Sequence, residues 1–284
     1  MTVASNDGSP GRLPTFLIIG APKAGTTALA ELLAAHPDVF IAPEKEVHYF
    51  DTGFRNGLDW YRRRFAGAAG ERAVGEASPT YMYRDATLER MRSAVPDAKL
   101  IAVLRDPVER AYSHYWWEYA VTETRTFEEA ARAEMAGEVG GRRGKYLEGG
   151  RYLPRLQRVT EMFSRPALLV IISEELRSDP ARVYAEACRH LGIDDSFTPP
   201  NLGAAVNPSY RVRWPMLRRA MFRWHAWKRL PGTWANAIDR FNRVEAAYPP
   251  LDDGLRRELR AWFTEDNRAL AAWLGRDLSI WGAR

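Results

Sequence analysis

The sequence predicts an α/β protein, a single domain with a central parallel sheet flanked by helices. Short runs of strand-forming residues alternate with helical stretches, which is the pattern of a parallel sheet covered by helices. The 284 residues are 46% hydrophobic and 27% charged, which is ordinary for a globular protein and supplies enough apolar residues for a core. We expect residues 1–12 to be a flexible lead-in and residues 13–284 to form the domain.

The individual elements follow from hydrophobic periodicity and from turn residues. The first strand is predicted at 16–20, and a helix at about 26–35 follows it after a glycine-containing loop. Further along the chain we predict strands at 73–76, 100–104 and 168–172 and helices at about 87–95, from 107, at 152–163, at 180–191 with Gly192 as C-cap, and at 254–274.

Charge and cysteine content indicate the kind of ligand and the cellular compartment of the protein. The net charge of +5 favours an anionic ligand or surface. The one cysteine, Cys188, lies in an apolar helical pattern, so we expect it to be buried and predict a reducing, cytoplasmic setting. The N-terminal residues lack the apolar stretch of a signal peptide, and no apolar run approaches the length of a bilayer span.

The loop after the first strand is close to a nucleotide-binding P-loop. Gly20 and Gly25 have the glycine spacing of G-x-x-x-x-G-K-[ST], but Lys23 stands two residues before Gly25 and Thr26 follows it. Backbone N–H groups at a helix start attract anions, and Thr27 adds a second hydroxyl. The displaced lysine favours a ligand with one 5′-phosphate bearing a reactive group over a triphosphate with Mg²⁺. The alternative is a tight turn with an exposed lysine.

A second anion-binding pattern follows the strand at 100–104. Arg105 comes directly after the apolar run and precedes Asp106, and Ser113 lies two helical turns further on. A side chain at the carboxyl end of a parallel strand points towards the ligand crevice of such sheets. Arginine with serine suits a separate phosphate. The alternatives are a surface ion pair for Arg105 and a helix-surface hydroxyl for Ser113.

Several motifs in a fixed order resemble the 3′-phosphoadenosine-5′-phosphosulfate (PAPS)-dependent sulfotransferase family. They are APKAGTT, PEKEVHYFD, GEASPTY, LRDPVERAYSHY and LLVIISEEL followed by DP and HLGI. The similarity extends from about residue 14 to the end and is greatest to the bacterial carbohydrate-type group related to heparan sulfate sulfotransferases. The resemblance implies a P-loop-like sulfotransferase fold and transfer of a sulfuryl group from PAPS to an acceptor hydroxyl or amine by in-line displacement, without a metal.

The resemblance also implies roles for residues of three of these motifs. The 5′-phosphosulfate would be held by Lys23, Ala24, Gly25, Thr26 and Thr27, and the 3′-phosphate by Arg105 and Ser113. In the E-x-H-[FY]-F pattern Glu46 would remove the acceptor proton. Lys23 would stabilise the leaving group. His48 would assist, or would act as the base instead of Glu46.

Two further stretches carry candidate donor-site residues. GGRYLPRL matches a family stretch in which Tyr152 would line the cleft, although a packed aromatic at a helix start is an equal alternative. NPSYRVR is the best match to the late cofactor-binding loop and supplies Arg211 and Arg213.

One position departs from the family pattern. Related eukaryotic enzymes have a lysine where this chain has Ala77. Either Lys45, Arg211 or Arg213 compensates for it, or the acceptor differs and needs less local charge.

A segment without acidic residues bears on the partners of the protein and on its alternative functions. Residues 196–238 contain no acidic side chain, and within them 211–229 interleave arginines with aromatics. Three interpretations of this segment are open. It forms an amphipathic helix that packs on the core, it covers a bound anionic ligand, or it provides a surface for peripheral membrane contact. We expect a small-molecule, carbohydrate or lipid acceptor and no nucleic acid, and no oligomeric state is predicted. The alternative functions are a P-loop-type small-molecule kinase and a non-catalytic nucleotide or anionic-lipid binder.

Overall fold

The structure, a computed structural model, describes residues 11–119, 122–138, 145–203, 210–214, 216, 241, 243–245 and 248–282. Contacts divide the chain into two units. The first comprises Met1–Arg105 and Tyr152–Val206, and the second comprises Asp106–Arg151 and Asn207–Arg284.

The first unit is built on a five-stranded parallel sheet. Its strands are β1 (Phe16–Gly20), β2 (Val39–Ile41), β3 (Ala73–Ala77), β4 (Lys99–Leu104) and β5 (Leu168–Ile172). The spatial order is β2-β3-β1-β4-β5, and Leu17 of the central strand lies opposite Glu76 and Leu100. All five residues of β1 are buried, as expected for a parallel strand that is covered on both faces.

Six helices of the described residues in this unit connect or follow these strands. They are α1 (Thr26–Ala34), α2 (Leu58–Arg62), α3 (Asp85–Ala94), α6 (Tyr152–Met162), α7 (Ser173–Ser178) and α8 (Pro180–Leu191). The side chain of Asp179 caps the start of α8, and Gly192 ends this helix in the left-handed conformation with φ 75°. Cys188 of α8 is fully buried, and burial raises the pKa of its thiol.

The second unit contains α4 (Pro107–Tyr119), α5 (Phe127–Met135), α9 (Asp253–Leu274) and an antiparallel pair, β6 (Tyr210–Val212) with β7 (Arg243–Glu245). Its apolar core joins residues from all three helices, among them Tyr115, Phe127 and Phe263. The guanidinium of Arg110 is buried in this unit and donates to the backbone carbonyl of Tyr146.

The α/β class with a central parallel sheet flanked by helices is confirmed. The predicted strands and helices are present, with ends that differ by one or two residues, whereas β2, α2, α5, α7, β6 and β7 were not predicted. All of these except α5 have six residues or fewer, so their periodicity is weak. The signal for α5 was its capping box, formed by Thr126 and Glu129. The assignment of residues 13–284 to one domain stays a prediction, and the helical pattern proposed within 211–229 falls largely outside the described residues.

Candidate active site

The candidate site lies at the carboxyl ends of the central strands of the first unit. From β1 the chain crosses to β2 on one side, whereas β4 lies on the other side of β1 and leads to β5. Such a reversal between neighbouring strands opens a crevice in which α/β proteins bind ligands. The glycine-containing loop follows β1 and Arg105 follows β4, so both predicted anion-binding elements lie at this reversal.

The loop after β1 has the features of an anion site. Lys23 has a left-handed backbone with φ 68°, and Gly25 precedes α1 with φ 103°, a conformation that glycine adopts without strain. The first turn of α1 has neither a side-chain cap nor an acidic residue. The N–H groups of Thr26 and Thr27 and the positive end of the helix dipole therefore suit a phosphate or sulfate.

Arg105 reaches this loop from the neighbouring strand. Its Nη1 donates to the backbone carbonyl of Lys23 over 3.2 Å. The hydroxyl of Tyr152 donates to the backbone carbonyl of Arg105 over 2.8 Å, and the Tyr152 side chain is only 1% exposed. Tyr152 thus packs beneath Arg105 and fixes its backbone, which favours the packed-aromatic alternative over a cleft-lining role.

The acidic loop after β2, residues 43–51, contacts the start of α1 through one lysine. Lys45 Nζ lies 2.6 Å from Thr27 Oγ1 and 2.8 Å from Glu46 Oε1. The Glu46 carboxylate is therefore one side chain away from the start of α1. The backbone of Lys45 is left-handed with φ 55°, and its carbonyl accepts a hydrogen bond from the N–H of Ala77 over 2.8 Å.

His48 is held between two carboxylates. Its Nε2 lies 3.3 Å from Glu46 Oε2, and its Nδ1 lies 3.0 Å from Asp51 Oδ2. Thr80 donates to the same Asp51 oxygen over 2.6 Å. Both ring nitrogens thus face an acceptor, which is the arrangement that an imidazolium with two N–H donors satisfies. Asp51 and Thr80 were not predicted as site residues.

The charges of this group depend on one another. Burial would raise the pKa of Glu46, but hydrogen bonds from His48 and Lys45 outweigh it and lower this pKa to about 2. Hydrogen bonds to Asp51 and then to Glu46 raise the pKa of His48 to about 10. At neutral pH Glu46 is therefore ionised and His48 is protonated, so of the two candidates Glu46 is the one able to accept a proton.

A buried carboxylate beneath the acidic loop was missed by the sequence reasoning. Glu76, the penultimate residue of β3, is fully buried. It accepts hydrogen bonds from Tyr61 and Tyr81 at Oε1, over 2.9 and 2.7 Å, and from Ser78 and the Val47 N–H at Oε2, over 2.5 and 3.1 Å. Burial raises the pKa of Glu76. A glutamate inside an otherwise apolar strand was the available signal.

Ser78 extends this support to the next residue of the loop. Its Oγ accepts the backbone N–H of His48 over 2.9 Å, and His48 has a left-handed backbone with φ 54°. A left-handed backbone at a non-glycine residue costs free energy and persists where neighbours fix it. Glu76 and Ser78 supply that fixation through the N–H groups of Val47 and His48.

The remaining predicted residues are placed as follows. Ser113 is a buried residue of α4 in the second unit, and its pairing with Arg105 stays a prediction. Arg211 belongs to β6, and its side chain is outside the described part of the chain. The Arg213 guanidinium lies 5.6 Å from the ring centroid of Trp214 and 5.7 Å from that of Phe241. Of the three cations offered as compensation at position 77, Lys45 is the one whose described side chain contacts the start of α1.

Neither a metal cluster nor a membrane-spanning helix occurs among the residues that the structure describes. No cluster of three or more His, Cys, Asp or Glu side chains with the arrangement of a metal site occurs among them. No helix among them combines the length and the apolar character needed to cross a bilayer.

Comparison with known proteins connects this site to a family. The model of the family described as "Sulfotransferase domain" matches residues 13–201. The human bifunctional heparan sulfate N-deacetylase/N-sulfotransferase 3 is 32% identical over 95% of this chain and 31% of its own length. The human heparan sulfate glucosamine 3-O-sulfotransferase 3B1 is 33% identical over 66% of this chain and 48% of its own length. The chain thus spans less than half of the length of these two relatives.

A solved structure supports the same assignment. The crystal structure of a sulfotransferase from Alicyclobacillus acidocaldarius is 30% identical, covers 95% of this chain and 99% of its own, and superimposes with a TM-score of 0.70. The prediction of a P-loop-like sulfotransferase fold is therefore confirmed. With a family model that matches most of the chain and a structural relative that covers nearly all of it, this chain belongs to the sulfotransferase domain family.

Proposed function

We propose that this protein transfers a sulfuryl group from PAPS, the donor usual in the family, to a hydroxyl or amine of an acceptor. The observation that carries the proposal is the position of Lys45, which contacts both Thr27 at the start of α1 and Glu46. An anion-binding helix start and an ionised carboxylate are thereby separated by one side chain. Transfer of a charged group to an acceptor that must lose a proton requires this juxtaposition.

The residues of the first unit divide the work. The start of α1 with Lys23 suits the 5′-phosphosulfate, and Arg105 beside Lys23 suits a second anionic group, the 3′-phosphate. Glu46 accepts the acceptor proton, and His48 orients Glu46 through the hydrogen bond between them. When the acceptor bonds to sulfur, the electron pair of the broken bond stays on the bridging oxygen, where Lys23 stabilises the charge.

The acceptor class is proposed from the relatives. The names of the similar human proteins refer to heparan sulfate and to glucosamine, so we propose a carbohydrate or glycolipid acceptor before other small metabolites. The absence of a lysine at Ala77 argues that the acceptor need not be the same polyanion. We also propose a cytoplasmic setting, which the single buried cysteine supports. Fractionation of cells would test it.

The direct test is incubation of the purified chain with PAPS and a panel of oligosaccharides, glycolipids and small alcohols. Mass spectrometry should detect a sulfate-sized gain on an acceptor, and adenosine 3′,5′-bisphosphate should accumulate in equal amount. Transfer should continue in EDTA, because no role for a metal is proposed. Transfer of phosphate from ATP that stops in EDTA would instead identify a kinase.

Substitution of the proposed base separates catalysis from donor binding. Glu46→Gln should lower kcat by about 10²- to 10⁴-fold, because the amide cannot accept the acceptor proton. Its calorimetric affinity for adenosine 3′,5′-bisphosphate should stay close to that of the wild type. Glu44→Gln is the matched control, since Glu44 pairs with Arg64 and not with His48. If Glu46→Gln reacts at the wild-type rate, another group must be the base.

A further inference from the structure

Lys45 separates the two sides of the candidate site, and the proposed function gives its ammonium no chemical role. Its ammonium contacts the Thr27 hydroxyl on the donor side and the Glu46 carboxylate on the acceptor side, and its side chain is 25% exposed. An ammonium has three N–H donors, and these two contacts use two of them. Lys45 can therefore contact an anion placed against Thr27 without moving far.

The backbone keeps the lysine in this position. A left-handed conformation at a non-glycine residue is disfavoured, and Lys45 is held in it by the hydrogen bond from Ala77, at the end of β3. The next N–H along the loop with a side-chain acceptor is that of Val47, which donates to the buried Glu76. These two hydrogen bonds hold the loop backbone in the conformation that places the Lys45 ammonium against α1.

We propose that Lys45 is a further catalytic residue, whose ammonium exchanges the Glu46 carboxylate for the sulfonate of the bound donor. This inference rests on the proposed function. In the transfer, the acceptor oxygen or nitrogen bonds to sulfur, the bond from sulfur to the bridging oxygen breaks with its electron pair on that oxygen, and the acceptor proton goes to Glu46. Lys45 neutralises charge on the sulfonate oxygens while this happens.

The exchange of partners also prepares Glu46 for its role. The charged groups that face Glu46 among the described contacts are Lys45 and His48, and Asp51 lies behind His48. While both cations are bound, the pKa of Glu46 is about 2, which makes the carboxylate a weak base. When Lys45 moves to the sulfonate, one of the groups that lower this pKa is lost. Glu46 then gains proton affinity only when the donor is present.

The experiment compares two nucleotides that differ in the sulfonate. Isothermal calorimetry on Lys45→Met, without acceptor, should give wild-type affinity for adenosine 3′,5′-bisphosphate and an affinity for PAPS about 10- to 100-fold lower, the loss of one charge-assisted hydrogen bond. Lys45→Arg should retain most of the preference for PAPS. In activity assays Lys45→Met should lower kcat, because no ammonium then neutralises charge on the sulfonate oxygens.

Arg64→Met is the control, because Arg64 is a nearby cation that pairs with Glu44 on the same loop. It should leave the ratio of the two nucleotide affinities unchanged. If Lys45→Met binds PAPS and adenosine 3′,5′-bisphosphate in the wild-type ratio while the wild type transfers sulfate, the inference is wrong and the proposed function stands. If the wild type transfers no sulfate from PAPS to any acceptor, both are wrong.

Discussion

At the scale of single residues, the least expected finding is that a buried glutamate holds the acidic loop in place. Glu76 belongs to the GEASPTY motif, which differs from the family pattern by having Ala77 in place of a lysine. The structure shows instead that the Glu76 carboxylate accepts four hydrogen bonds, one of them from the loop backbone at Val47. Glu76, the neighbour of the position that lacks the family lysine, therefore supports the backbone of the acidic loop.

This position gives a prediction with a matched pair of variants. Glu76→Ala removes both carboxylate oxygens and leaves the Val47 N–H and the Tyr61 and Tyr81 O–H donors without their acceptor, so we expect a loss of about 2 to 4 kcal/mol in the free energy of unfolding. Glu76→Gln keeps the shape and one acceptor oxygen, so its loss should be smaller. Urea unfolding measures both. The kcat of Glu76→Ala should also fall, and equal stability of the two variants would contradict the account.

Sequence reasoning found the residues of the site more readily than the links between them. Lys23, Glu46, His48 and Arg105 were all named from motifs, and the structure brings Arg105 to the Lys23 backbone and His48 to Glu46. The contact of Lys45 with Thr27 could not be predicted, because it joins the acidic loop to the start of α1 through a left-handed backbone that no local pattern specifies. Lys45 appeared only as one of several compensating cations.

At the scale of elements, predictability followed length and burial. The strands β1, β4 and β5 are continuous apolar runs, and α9 has an apolar face over 22 residues, so both kinds of pattern are strong. The strand β2 has three residues and only one of them is buried, so it carries no readable alternation. Pairing with β3 makes it a strand, and pairing partners are not encoded locally.

The start of α9 offers a test of local stabilisation. The Asp252 side chain accepts the N–H of Leu255 over 2.8 Å and so caps the helix. Asp252→Ala should lower the free energy of unfolding by about 1 kcal/mol, whereas Asp252→Asn retains the acceptor and should lose less than half of that. Thermal unfolding followed by circular dichroism gives both values. Equal losses would show that the negative charge, rather than the hydrogen bond, stabilises this end.

At the scale of the whole molecule, the carboxylates determine how the protein responds to acid. In the second unit Glu123 bonds Arg125 and Tyr146. Burial opposes ionisation of Glu123, but the hydrogen bonds prevail and lower its pKa to about 2. A carboxyl whose pKa is lower in the folded than in the unfolded chain contributes stability above its ordinary value near 4.5. That contribution disappears as the pH falls from about 4.5 towards 2.

The corresponding prediction concerns Glu123→Gln. Its melting temperature should lie furthest below that of the wild type at neutral pH, and the gap should close between pH 4.5 and pH 2, where the wild-type carboxylate takes up a proton. Glu128→Gln, on the exposed part of α5, controls for the removal of one negative charge. Scanning calorimetry across this pH range measures the difference in melting temperature. A difference that does not change with pH would show that Glu123 does not contribute to the loss of stability in acid.

The burial of Cys188 has a practical consequence for spectroscopy. Since the chain has one native thiol and its side chain is buried, a second cysteine placed on the surface would be the preferred target of a maleimide dye. Arg55, exposed and a few residues beyond the acidic loop, is a suitable attachment point. Fluorescence from that single label would report events around the loop in real time, with no need to engineer away background reactivity.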